Sequence, residues 1–351
     1  MLNKTPLNQE GLGIRSHNLL QRRSWSMGLS IIFALALGVL LQTVGSASAW
    51  AQDYPNRPIK MIVPQGAGGG TDILGRHVAG RMTELLKQSV VVENKTGAGS
   101  LVGTEFVARS TPDGYTLMVG GIFNMVMNKA LIKNLSYEPE RDFIPLGFVS
   151  AYPFMLVTRA DLPVNNLAEF VAYAKERPGR LTYGSAGIGT LQHVWGAILA
   201  GSMGLDMVHV PFKGAGPAHQ EMFGGRVDVM FDNISASKGY VQANRLKGLA
   251  VSSLARNPQM PNLPTINETG VVKFDGESWF GIFAPAGTPP AIVAKLREVL
   301  ANINKEPDFL ARVDRDGGRI LNISPNQQQA FLKEEVERWV GSVARYKVTA
   351  D

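Results

Sequence analysis

The chain has 351 residues, 45% of them hydrophobic and 18% charged, with a formal net charge of +6 and no cysteine. That composition is enough for two compact domains with their own cores and argues against a disordered chain. Without cysteine there is no thiolate nucleophile, disulfide, Cys-based metal site or lipid-modified N-terminal cysteine. No basic run or aromatic-interleaved patch stands out, so nucleic acid is not an expected partner.

The first 51 residues read as a targeting segment. Arg15, Arg22 and Arg23 form a basic stretch, and residues 29–41 (LSIIFALALGVLL) are wholly apolar. Such a run is short for a bilayer span but suits the core of a signal peptide. The small residues SASAWAQ follow, with Ala49 and Ala51 at the spacing that a signal peptidase reads. Cleavage is expected after Ala51, leaving a periplasmic monomer that begins at Gln52; the alternative is an uncleaved anchor helix. Lys4, Arg15, Arg22 and Arg23 against Glu10 give the leader a net +3, which leaves +3 for the remainder.

Beyond Asp53 the pattern is strand, glycine-rich turn, helix, repeated. Residues 59–63 (IKMIV) predict a strand. Residues 72–87 predict a helix with Leu74, Val78, Met82, Leu85 and Leu86 on one side. A strand is expected over 89–93 (SVVVE), a helix from the Gly97 and Gly99 turn to Arg109, and a third strand over 115–119. Residues 143–158 (FIPLGFVSAYPFMLVT) break the rhythm, being long, apolar and aromatic. The alternation then resumes: strand 181–183, glycine loop 184–189, helix 190–200, strand 207–212 (MVHVPF), a Gly214 and Gly216 turn and another helix. Strands over 227–231 (VDVMF) and 246–252 (LKGLAVS) come next. Residues 278–285 (SWFGIFAP) form a second long aromatic segment, and amphipathic helices close the chain over 290–304 and 325–346. This grammar implies an α/β fold with open, mostly parallel sheets. The two long aromatic segments are expected to cross between lobes, one made of residues 52–152 plus 283–351 and the other of residues 153–282.

Three glycine loops carry the chemistry. Glycine at a strand-to-helix turn permits backbone angles that a side chain forbids and lets a ligand touch the main chain. The helix N-terminus behind it offers unpaired N–H groups and a partial positive charge. Carboxylate or phosphate can be held there without lysine or arginine. The same turns also serve packing alone. A dinucleotide site is the main rival, because strand, glycine turn, helix, strand and Glu93 mimic its plan. Thr71 stands where the third glycine belongs, however, and Pro64 interrupts the approach. No G-K-[ST] follows any loop, which excludes a P-loop.

Catalytic and metal motifs are weak, and neither a metal nor a cofactor is implied. Ser185 sits in Y-G-S-A-G rather than G-x-S-x-G. His77, His193, His209 and His219 lack metal-ligand spacing. His209 and His193 read as structural residues, as does Asp228. Asp232-Asn233, at the carboxyl end of its strand, is the better ligand candidate, with Asp232 preferred, because ligands of open α/β sheets bind at that edge.

The chain resembles the substrate-binding proteins of tripartite tricarboxylate transporters, the Bug receptors. The likeness rests on YPNRPIKMIVPQGAGGGTD, VVVENKTGAGSLVGTEFVARSTPDGYTL, LTYGSAGIGTLQHVWG, HVPFKGAGPA, GGRVDVMFDN, NLPTINETG and WFGIFAPAGTP, in that order across the chain. It implies two α/β lobes of the type II periplasmic-binding-protein kind, joined by crossing strands and closing on a small organic carboxylate or related amide. The loaded receptor would then meet the membrane permease subunits of such a transporter. By the resemblance, Gly66, Ala67, Gly68, Gly69, Gly70, Thr71 and Asp72 hold the carboxylate from one lobe. Ser185, Ala186, Gly187, Gly189 and Thr190 hold it from the other. Phe212, Lys213, Gly214 and Asn124 line the distal part, and Phe123, Trp279 and Phe280 are further aromatic candidates for a wall. The family commonly has an aromatic where Gln65 stands and Thr or Ser where Asn124 stands; Gln65 is expected to add a hydrogen bond to the ligand. The alternative reading is a periplasmic α/β enzyme that uses the same loops as an oxyanion site.

Overall fold

The computed structural model describes residues 54–349. The expected leader and its cleavage after Ala51 lie outside the described residues.

The first βαβ unit follows its sequence signals closely. In β1 (Ile59–Val63) every residue but Lys60 is buried. After the glycine turn, α1 (Gly70–Leu86) buries Leu74, Val78, Met82 and Leu86, an i, i+4 row that packs on the sheet. Then come β2 (Val90–Asn94), α2 (Leu101–Ala108) and β3 (Thr116–Gly121). Next is a π-helical turn, Phe123–Met127, running into the short helices α3 (Asn128–Leu131) and α4 (Pro139–Asp142). Such π turns recur at functional sites.

The long aromatic segment is one strand of 17 residues, β4 (Phe143–Arg159). It leads to α5 (Leu167–Lys175), β5 (Thr182–Ser185) and α6 (Leu191–Ser202). Then follow β6 (Val208–Pro211), α7 (Ala215–Phe223), β7 (Val229–Asn233), α8 (Ile234–Gln242) and β8 (Leu246–Val251). The second aromatic segment is β9 (Glu277–Pro285), and the chain closes with α9 (Pro290–Ile303), α10 (Pro307–Arg315) and α11 (Gln328–Arg345).

The strands are hydrogen-bonded in the order β2-β1-β3-β9-β4-β7-β5-β6, with β8 also on β4. Pairs β1/β2, β1/β3, β5/β6 and β5/β7 are parallel. Every pair that involves β4 or β9 is antiparallel. The sheet is therefore mixed, and the antiparallel share comes from the two crossing strands. Residues Phe143 to Pro153 of β4 pair with β9, whereas Phe154 to Thr158 pair with β7 and β8. One strand thus belongs to both sides of the sheet, and from Pro55 onward the chain forms one compact unit.

Candidate functional site

A cleft of about 780 Å³ opens where the carboxyl ends of β1, β3 and β7 and the loop after β5 meet. This is the edge at which open α/β sheets take their ligands. Its floor is the strand crossing, where Tyr152 and Phe154 of β4 lie beside Ser278 and Phe280 of β9.

Two helix N-termini face this space from opposite sides of the sheet. Gly70, Thr71, Ile73 and Leu74 of α1 line one wall, and Thr190, Leu191 and Gln192 at the start of α6 line another. In α1 the first backbone bond back along the chain is from Ile73 to Gly69; in α6 it is from Val194 to Thr190. The amides of Gly70, Thr71, Leu191 and Gln192 accordingly have no acceptor among the described residues. These are the orphan donors of a helix start.

The first glycine loop is braced by a carboxylate. Asp72 is buried and accepts from Gly68 N–H (2.9 Å), Arg76 Nε (3.0 Å) and Asn94 Nδ2 (2.8 Å). The hydrogen bond from Arg76, with that from Gly68, holds its carboxyl down at about 2. Asp72 therefore shapes the loop from behind and does not line the cleft. Nor do Gly66, Ala67, Gly68 or Gly69, which are exposed outside the cleft lining. Gln65 lines the mouth, and its Oε1 takes the Thr71 hydroxyl; its NH2 has no acceptor among the described residues.

The second loop is braced by neutral rings. Ser185 is fully buried; its hydroxyl meets His209 Nε2 (2.7 Å), donates to Gly187 O (3.1 Å) and accepts from Gly187 N–H (3.2 Å). His209 stacks on His193 with ring centroids 4.0 Å apart, and His193 Nδ1 accepts from Gly189 N–H (3.1 Å). Burial, and then the neighbouring His193, hold His209 down at about 4; burial also lowers His193. Both rings are neutral at ordinary pH and serve as loop supports. Ser185 and His209 resemble the serine and histidine of a hydrolase triad. The serine is inaccessible, though, and no carboxylate orients the imidazole among the described residues.

Several expected contacts are elsewhere. Phe212, Lys213 and Gly214 lie behind the second loop rather than in the cleft: Phe212 N–H bonds Ser185 O (3.0 Å) and Gly214 N–H bonds Ala186 O (3.1 Å). Ala186, Gly187 and Gly189 form the turn itself and do not line the cleft. Asp232 is fully buried, taking Ser237 Oγ (2.6 Å), His219 Nε2 (2.8 Å) and Gln192 Nε2 (3.4 Å). Alternation along β7 turns the next residue, Asn233, to the cleft in its place. Asn124 reaches the cleft, but its amide is engaged with Gly121 N–H (2.9 Å) and Thr104 Oγ1 (3.0 Å). Of the aromatic candidates, Phe123 and Phe280 line the wall, whereas Trp279, one residue from Phe280, is core and donates to Glu335 (2.7 Å).

Sequence reasoning missed Arg312, Val313 and Asp316, which α10 and the residue capping it bring to the cleft. The signal was present in PDFLARVDR. Pro307 sits at the first helical position, and Phe309 and Val313 bury at i and i+4.

Two helix N-termini over crossing strands, around a cleft at the carboxyl edge of an α/β sheet, define a solute receptor of the periplasmic-binding-protein class. The chain belongs to the tripartite tricarboxylate transporter family receptors, whose family model matches residues 74–346. Among solved structures, the periplasmic binding protein BugD is 36% identical, with a TM-score of 0.70 over 84% of this chain and 99% of its own. MatC from Rhodopseudomonas palustris, with bound malate, is 32% identical, with a TM-score of 0.70 over 83% and 100%. A second R. palustris protein, solved with adipate, is 31% identical, with a TM-score of 0.73 over 85% and 99%.

Proposed function

We propose that this receptor closes on a small organic carboxylate and delivers it to the membrane permease of a tripartite tricarboxylate transporter. The observation that carries the reading is the pair of helix starts: orphan amides of Gly70 and Thr71 on one side and of Leu191 and Gln192 on the other line one cleft. A carboxylate that bridges them binds a closed arrangement better than an open one, which is what shifts a population. Relatives solved with malate and adipate support the carboxylate class. The lobes divide along the two crossing strands, near Pro153 of β4, where β4 changes partners, and within β9. Residues 52–152 with 283–351 move as one lobe and 153–282 as the other, in a periplasmic monomer freed of its leader.

The enzyme alternative finds less support, since Ser185 is buried and committed to its own loop. The discriminating experiment is a thermal-shift panel of organic acids run beside product assays. A receptor gains about RT ln(1 + [L]/Kd), roughly 2.7 kcal/mol at a hundred times Kd, and releases no product. A panel without any shift overturns the reading.

A further inference from the structure

We propose that Arg312 is the distal anion anchor of the cleft, so that the preferred ligand is a dicarboxylate: one end on the helix amides, the other on this guanidinium. The inference rests on the carboxylate-receptor reading and adds the chemistry of the far end. Among the described residues that line the cleft, Arg312 and Asp316 alone carry a charge. Arg312 is half-buried, and its guanidinium has neither an ion pair nor a hydrogen bond among the described residues. By contrast, Arg81 pairs with Glu306 (2.6 Å), and Arg319 pairs with Glu277. A partly desolvated, unpaired guanidinium is suited to a planar carboxylate, which it can take through two parallel bonds.

The backbone that carries Arg312 is fixed on both sides of the cleft. Toward α1, Phe309 stacks on His77 with ring centroids 5.3 Å apart, beside the Glu306–Arg81 pair. Toward the second side of the sheet, Lys238 Nζ donates to Arg315 O (2.8 Å) and Asn257 Nδ2 to Gly317 O (2.8 Å). At the crossing, Arg319 and Ala151 exchange two backbone bonds of 2.8 Å. The cation is thus presented on a rigid support, which lowers the ordering cost of using it. Both charges reach the cleft floor: burial raises the Tyr152 pKa, Asp316 adds to that rise and Arg312 opposes it. Asp316, one turn on, does not pair with Arg312 and is exposed. It sets the limit on the far end: one carboxylate there is balanced by Arg312, and a second meets a like charge. The preference therefore runs from dicarboxylate to tricarboxylate to monocarboxylate.

Calorimetry on the full chain tests this with chain-matched acids: succinate, glutarate and adipate against butyrate, pentanoate and hexanoate, with citrate as the tricarboxylate. Wild type should favour a diacid over its monoacid by about tenfold or more. Arg312→Gln should collapse that ratio toward unity, with an unchanged melting temperature, and Arg312→Lys should restore part of it. Asp316→Asn should raise citrate affinity relative to the best diacid by about threefold, a like-charge effect of ordinary size for partly solvated groups. Diacid binding that ignores Arg312→Gln, or an equal loss for diacid and monoacid, overturns the inference and leaves the carboxylate receptor standing. Wild type that binds none of these acids overturns the reading beneath it as well.

Discussion

At the start of α1 a buried carboxylate braces the glycine loop, whereas at the start of α6 a pair of stacked neutral imidazoles does. Asp72 gathers Gly68, Arg76 and Asn94 around a charge. His193 and His209 hold Gly189 and Ser185 without one. Both solutions leave the forward-facing amides free, but their linkage to pH differs. The depressed pKa of Asp72 gives stability that is present above the ordinary carboxylate range and is lost only as pH falls toward about 2. The histidines are depressed below 6.5, so their contribution is whole above that value and fades as pH falls below it, toward about 4 for His209. An anion site assembled from the two loops should therefore fail from the α6 side first on acidification.

The largest effect should come from filling one helix start. Gly70 lines the cleft and an added Cβ there meets nothing within 4 Å, so Gly70→Val should leave folding intact. Titration with the best-bound acid should show affinity down by about a hundredfold, roughly 2.7 kcal/mol. Unchanged affinity would mean that the α1 start is a packing turn. Next is the charged brace. Asp72→Ala removes three hydrogen bonds, and urea denaturation should show a loss of about 1–2 kcal/mol, tempered because Asn94 keeps Gln65 O and both Gly68 and Arg76 are exposed. A loss under about 0.5 kcal/mol would show that the loop stands without its carboxylate. The smallest effect is the pH response. Melting temperature should fall between pH 6.5 and 4 in wild type and fall less in His209→Gln, which keeps a partner for Ser185. Parallel slopes for the two proteins would remove the histidine pair from the comparison.

The periodicity of the chain made most elements legible, because β1, α1, β4 and β9 have burial patterns that follow directly from apolar spacing. Both glycine turns were readable for the same reason: only a turn needs glycine at those points. What the sequence could not resolve was which of two neighbours faces the ligand. Asp232 and Asn233 share one strand end, and Trp279 and Phe280 share another; in each pair the phase of alternation decides, and that is set by the packing partners. Asp72 was legible as a first-turn acid but not as the brace of its own loop, since Asn94 comes from a different strand. Arg312 was missed because α10 is short and rich in charge, so its two core contacts, Phe309 and Val313, are thin evidence in a linear reading.

The placement of α10 has a consequence for how such a receptor can diversify. The amides proposed to grip one end of the ligand belong to backbone, in loops held by their own braces. Arg312, at the other end of the cleft, rides on a nine-residue helix that buries Phe309 and Val313. Exchange of the outward residues of that helix alters what the far end recognises while the core contacts stay as they are. On the proposal that Arg312 anchors the far end, ligand preference becomes a modular property, open to drift or to deliberate transplantation of one short segment.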